Sequence, residues 1–175
     1  MDWDSEFTAF VREQSDTLHR SAWLLVGDRE RAADLVQETL VRLYPAWDKV
    51  LRADVPIAYV RRSMVNRFLS QVRTLRSGEV ILADLPDRGR DDLALTRALD
   101  RELLAAPLAT LSPRQRAAIT LRYFDDLSDS DAAYAMGCPV VTLRSHLRRG
   151  LAALRNQLDR PPGQACPDST LRSER

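Results

Sequence analysis

Three helix start signals follow one another between Ser112 and Val140, and their spacing constrains what this chain can fold into more than any other feature. Ser112-Pro113-Arg114-Gln115 supplies a capping hydroxyl, a proline already set for a first helical turn, and a glutamine able to return a bond to the cap. The helix it opens is expected to run towards Phe124. Ser128 and Asp131 repeat the cap spacing ahead of a short helix, Asp129 to Met136, which Gly137 can end in the left-handed conformation. From Val140 onward, Leu143, Leu147, Leu151, Leu154 and Leu158 recur at steps of three and four, so one stripe of a third helix is expected to pack on the others. Its other side carries Thr142, Ser145, Arg148 and Arg149, with Arg144 on the border, and no acid occurs between Ala132 and Leu158 to repel a phosphate. Short helix, glycine turn and arginine-bearing second helix are the parts of a helix-turn-helix, whose second helix enters the major groove of DNA.

An earlier block also reads as helical. Phe7, Phe10, Val11, Leu18, Ala22 and Leu25 mark an amphipathic helix that Gly27-Asp28 ends. Asp28 is placed to cap the next helix, in which Ala32, Leu35, Val36, Leu40, Leu43 and Trp47 form a buried stripe while Asp34, Gln37, Glu38 and Arg42 face outward. Pro45 is expected to distort its last turn, and Lys49 to Asp54 reads as a short polar loop. Pro56 then opens a helix with Ile57, Tyr59, Val60, Met64, Phe68 and Leu69 set among arginines. Only Glu79-Val80-Ile81-Leu82 looks extended, and one such piece cannot make a sheet. Arg76 to Asp92, with Ser77, Gly78, Pro86 and Gly89 among acids, reads as a linker, and Arg160 to Arg175, with Pro161-Pro162-Gly163, as a polar disordered tail. The expected fold is all-α: two small helical domains, 5–75 and 96–158, joined by an acidic linker, 76–95, and followed by the tail, 159–175.

Composition narrows the function classes. With 175 residues and 45% apolar content the chain can build a folded core, and its net charge of +1 hides a segregation. Val55 to Gly78 holds Arg61, Arg62, Arg67, Arg73 and Arg76 without an acid, whereas Glu79, Asp84, Asp87, Asp91 and Asp92 crowd the joint, so two basic surfaces flank an acidic segment. Cys138 and Cys166 are the only cysteines, which implies neither a disulfide framework nor a zinc site and fits a reducing compartment. The opening Met1-Asp2-Trp3-Asp4 lacks the basic and apolar regions of a signal peptide, and no apolar run approaches a membrane span of roughly 20 residues. A cytoplasmic location, with no membrane partner, is expected. His19 and His146 stand without a cysteine or carboxylate cluster, and no nucleophile-base pair or phosphate loop is present, so neither an enzyme nor a metal or cofactor is expected.

The segment Asp28-Arg29-Glu30-Arg31-Ala32-Ala33-Asp34-Leu35-Val36-Gln37-Glu38-Thr39-Leu40-Val41-Arg42-Leu43-Tyr44, followed by Trp47, resembles region 2.2 of the extracytoplasmic-function (ECF) sigma factors, small members of the sigma-70 family. Pro56-Ile57-Ala58-Tyr59-Val60-Arg61-Arg62-Ser63-Met64-Val65-Asn66-Arg67-Phe68 is similar to regions 2.3 and 2.4, and Leu111 to Leu154 to region 4. The likeness spans roughly residues 5–158 in the family's order, and Asn66-Arg67-Phe68-Leu69-Ser70 most resembles the SigE-like branch.

That resemblance implies a dissociable initiation subunit that directs RNA polymerase to promoters. It assigns Asp34, Gln37 and Glu38 to the clamp helices of the polymerase's largest subunit, and names the flap of the second-largest subunit as a further partner. It assigns Arg61, Arg62, Asn66 and Arg67 to the −10 element, the arginines to backbone phosphates and Asn66 to a base, with a flipped base in a Lys49 to Val55 loop. It assigns Thr142, Arg144, Ser145, Arg148 and Arg149 to the −35 element, and implies that the acidic linker lies along the polymerase's RNA path. Many family members are held by an anti-sigma protein, which nothing in these residues identifies. Pro139 and Val141 depart from the family's usual residues: Pro139 suits the first helical position if Cys138 caps, and Val141 places an apolar branch near the DNA face. Two alternatives fit the patterns alone, a stand-alone helix-turn-helix regulator on paired half-sites and an interaction protein that binds no DNA.

Overall fold

The computed structural model describes residues 3–76, 104 and 106–158. The greater part of the expected linker, the extended Glu79 to Leu82 piece and the tail with Cys166 lie outside the described residues. No strand occurs among the described residues.

The first block holds α1 (Trp3–Val26), α2 (Arg29–Leu43), a 3₁₀ turn (Tyr44–Ala46), α3 (Trp47–Leu51) and α4 (Pro56–Arg76). Gly27 ends α1 at φ +77°, a left-handed value that favours glycine, and its N–H bonds the Trp23 carbonyl at 2.7 Å. One residue on, the Asp28 carboxylate accepts the Arg31 N–H at 2.8 Å and starts α2 as expected. Pro45 sits in the 3₁₀ turn that closes α2 at Leu43. The core gathers on Trp47, fully buried, with the rings of Phe7 and Phe10 edge-on at 4.9 Å each. Leu18 and Leu25 from α1, Leu35 and Val36 from α2 and Met64 and Phe68 from α4 complete it.

One expectation is corrected here. Lys49 lies in α3 rather than in a loop, because Val50 and Trp47 are buried on one side of that short helix and hold it against the core. The non-helical connection to α4 is therefore shorter than Lys49 to Val55.

The second block holds α5 (Pro113–Ile119), a π turn (Thr120–Phe124), α6 (Asp129–Met136) and α7 (Val140–Leu158). Ser112 and Gln115 form the reciprocal capping box. Ser128 accepts the Asp131 N–H at 3.1 Å at the start of α6, and Gly137 ends α6 at φ 61°. The helix beginning at Pro113 does reach Phe124, but its last turn widens: the Asp125 N–H reaches the Thr120 carbonyl, five residues back, at 3.0 Å. Asp126 follows with φ 53°. Pro139 stands one residue before the first helical position and not in it, since α7 starts at Val140 and the Pro139 carbonyl accepts the Leu143 N–H at 3.1 Å.

The leucine stripe of α7 also shifts. Leu143, Leu147 and Gly150 are buried and Leu154 half-buried, but Leu151 is 36% exposed. A period of 3.6 residues puts Gly150 nearer the centre of the buried face than Leu151, and the close approach of Ile119 to Gly150 fills that place. A Cβ on Gly150 would lie 2.7 Å from Ile119 Cδ1.

The two blocks pack directly on one another, mainly α4 against α6. Arg116 on α5 donates across the junction to the Leu25 carbonyl at 2.8 Å and, within its own block, to the Ala109 carbonyl at 2.8 Å.

Candidate nucleic-acid interface

Packing fixes which side of α7 faces solvent. With Leu143 and Leu147 turned inward, Arg148 and Arg149 are exposed, Thr142 and Ser145 are half-buried, and Val141 is 72% exposed. The Ser145 hydroxyl donates to the Val141 carbonyl at 3.2 Å within the helix. Arg144 is exposed as well, yet its Nε–H reaches Asp129 Oδ2 on α6 at 2.8 Å. The five expected −35 residues thus share one helix, and an acid outside the acid-free sequence window joins them. This surface is arginine-rich and carried by the second limb of a helix-turn-helix, the element that enters a major groove. His146, half-buried on α7, has its pKa lowered by burial and then by the charges of Arg114 and Arg149.

The four residues expected at the −10 element stand in three different situations. Asn66 is exposed on α4. Arg67 donates from Nε to Glu38 Oε2 at 2.7 Å, and Gln71 Nε2 donates to the same oxygen at 3.0 Å. A residue expected at the polymerase and one expected at DNA are therefore held together, while Asp34 and Gln37 are exposed and without such a tie among the described residues. Arg61 and Arg62 face the second block. Arg61 Nη2 lies 3.5 Å from Asp125 Oδ1, with only 11% and 2% of the two side chains exposed. Arg62 stacks its guanidinium 3.8 Å above the Tyr134 ring of α6.

Asp125 is the centre of that junction, although in sequence it looks like an ordinary turn acid. Ser21 on α1 donates its hydroxyl to Asp125 Oδ1 as well, so the carboxylate links α1 and α4 to the end of the π turn. Burial raises its pKa, against the pull of Arg61, Ser21 and Arg20. Arg61 Nε and Asp125 Oδ2 are buried without a hydrogen-bond partner among the described residues, so the junction is incompletely satisfied. Asp129 likewise looks in sequence like a plain helix-start acid; its pKa lies below the usual carboxylate range, chiefly through the Arg144 bond.

Between α1 and α2 an apolar groove is lined by Phe7, Val11, Val36, Leu40 and Val41, with Gln37 at its side. Among the described residues no set of three His, Cys, Asp or Glu side chains could hold a metal, and no helix is long and apolar enough to cross a membrane.

Residues 10–78 match the family described as Sigma-70 region 2, and residues 101–154 match Sigma-70, region 4. The chain is 40% identical over 154 residues to the RNA polymerase sigma-E factor of Streptomyces avermitilis, covering 88% of this chain and 86% of that protein. It is 32% identical over 158 residues to the ECF RNA polymerase sigma factor SigL of Mycobacterium tuberculosis, covering 84% and 85%. Among solved structures it resembles the sigma factor RpoE of Bartonella quintana, bound there to the anti-sigma factor NepR, with a TM-score of 0.66, 26% identity and coverage of 89% of this chain and 99% of that one.

Proposed function

The chain belongs to the sigma-70 family, among its extracytoplasmic-function RNA polymerase sigma factors, and on that premise we propose how its residues divide the work of promoter recognition. A sigma factor binds core RNA polymerase and directs it to promoter DNA; it is an initiation factor and not an enzyme. The stand-alone regulator and the DNA-independent interaction protein are set aside by family membership.

Residues 5–75 form the unit that binds core polymerase and the −10 element, 76–95 the linker, 96–158 the unit that binds the −35 element, and 159–175 a tail. Asp34 and Gln37 meet the clamp helices, and the apolar groove beside Gln37 gives a partner helix a surface to bury. Glu38 orients Arg67 as much as it meets the polymerase, since it already accepts from Arg67 and Gln71. Asn66 contacts a base of the opened −10 strand, where its amide can donate and accept together. Thr142, Arg144, Ser145, Arg148 and Arg149 meet the −35 element. The protein works in the cytoplasm, and an anti-sigma protein is a fitting regulator because the Bartonella relative is bound to one.

Arg61 and Arg62 set a condition on this account. Both are engaged by the second block, so they reach −10 phosphates only after α6 and the π turn leave α4. Core polymerase, by holding the two units on separate surfaces, supplies that separation.

The observation that carries the −35 assignment is the exposed arginine face of α7, free of acids of its own helix and presented by the helix-turn-helix. Holoenzyme carrying Arg149→Ala tests it on templates with single −35 substitutions. A loss of about 1–3 kcal/mol confined to one base pair makes Arg149 a base reader, a uniform loss makes it a phosphate contact, and no loss removes it from the interface.

A further inference from the structure

Asp129 opens α6, fifteen residues before Arg144 in sequence and on the other limb of the helix-turn-helix. Each carboxylate oxygen takes one arginine Nε–H: Oδ2 that of Arg144 at 2.8 Å, and Oδ1 that of Arg122 at 3.2 Å. Arg122 also lies 3.9 Å from Asp126 Oδ1, so the cluster is balanced, two cations with two anions, and the charge of Asp129 is offset by its own partners.

The identity of the bonded atom matters. A guanidinium carries five donors in a rigid planar fork, and its two Nη groups together match the O6 and N7 acceptors of guanine. Asp129 engages Nε, the Nη donors have no bond among the described residues, and 68% of the Arg144 side chain remains exposed. Arg148 and Arg149 are also exposed, but neither is in an ion pair among the described residues. They suit phosphates, which tolerate a mobile point of charge. Arg144 is the arginine of α7 whose orientation is set before DNA arrives, so part of its rotamer freedom is already given up in the free protein.

We propose that Asp129 is a positioning residue for promoter recognition: it aims the Nη edge of Arg144 at one base pair of the −35 element and so gives this arginine a base preference. The proposal rests on the reading of α7 as the −35 helix. Asp129 touches no DNA in this account, and it acts through Arg144.

The test uses full-length protein assembled with core polymerase and a promoter library randomised across the −35 element, comparing wild type, Arg144→Ala, Asp129→Asn and the double variant. Arg144→Ala is expected to lose preference at one base pair, and Asp129→Asn to lower preference at that same pair about fivefold or more, the range one bidentate arginine contact carries. The double variant should lose no more than Arg144→Ala alone. Asp129→Glu should restore part of the preference. Asp131→Asn, in the same helical turn and bonded to Ser128, should leave the profile unchanged, which separates aim from the general effect of an acid at a helix start. If Arg144→Ala shifts one position and Asp129→Asn shifts none, or weakens all sequences equally, the inference is wrong and the −35 reading stands. If Arg144→Ala and Arg149→Ala both leave the library profile and the affinity unchanged, the −35 reading of α7 fails and the inference with it.

Discussion

Arg61 on α4 and Asp125 at the end of the π turn face each other at 3.5 Å across the junction of the two helical blocks, both almost wholly buried. A buried pair contributes less than its Coulomb attraction suggests, because both charges lose their water, and here Arg61 Nε and Asp125 Oδ2 lack partners among the described residues. Such a contact can hold two domains together and still be opened by a competing surface.

Removing one partner should therefore open the free protein. Asp125→Ala leaves Arg61 buried and unpaired, a cost of about 3–5 kcal/mol that separation of the blocks relieves. Small-angle scattering of the free protein is expected to show a larger radius of gyration for Asp125→Ala than for wild type. Equal radii would show that the junction does not depend on this pair. Because burial raises the Asp125 pKa, the closed form takes up a proton more readily than the open one. The closed form gains as pH falls through the raised value towards the ordinary carboxylate range, and loses that advantage as pH rises back through the raised value.

Acid should act in the opposite sense on α7. The His146 pKa is lowered by burial and by Arg114 and Arg149, so the unfolded chain binds the proton more readily than the folded one. Stability is full above the ordinary imidazole value of about 6.5 and falls as pH drops through the window between that value and the lowered one. His146→Gln should flatten this part of the pH profile of thermal unfolding. An unchanged slope would assign it to other groups.

Gly137 tests the turn of the helix-turn-helix by itself. A Cβ there would meet nothing within 4 Å, so the effect of Gly137→Ala comes from its φ of 61° alone. Denaturant unfolding should show a loss of about 1–2 kcal/mol. A gain in stability would mean that this residue does not keep its left-handed conformation in solution.

Asn66→Ala should separate binding from melting. Its exposure on α4 leaves it available to an unpaired base, whereas the core of the first block is untouched by its removal. Affinity for core polymerase is expected to hold, while permanganate reactivity of −10 thymines drops, as the loss of about 1–3 kcal/mol from one base contact requires. Equal reactivity would remove Asn66 from the −10 site.

How far the sequence reveals this arrangement depends on the range of each interaction. Asp28, Ser112, Ser128 and Gly137 announce their roles because caps and left-handed turns are made within a few residues. Val65 and Arg61 do not, since α4 is covered by the first block on one side and by α6 on the other, and a helix buried on two sides has no single stripe. Leu151 misleads for a related reason: Gly150 admits Ile119, and the buried face turns towards the smaller residue. Asp125 and Asp129 look like ordinary turn and cap acids until folding brings Arg61 and Arg144 to them. The π turn carries no local signal that composition or periodicity detects.

The most direct test of the account is run-off transcription on fragmented genomic DNA with sigma-free bacterial core polymerase, with and without this protein, mapping the 5′ ends of the RNA. New start sites that share two spaced upstream elements, and that fade when Asn66 or Arg149 is replaced by alanine, are the predicted result. Failure to bind core polymerase, or binding without any new start site, would contradict the account.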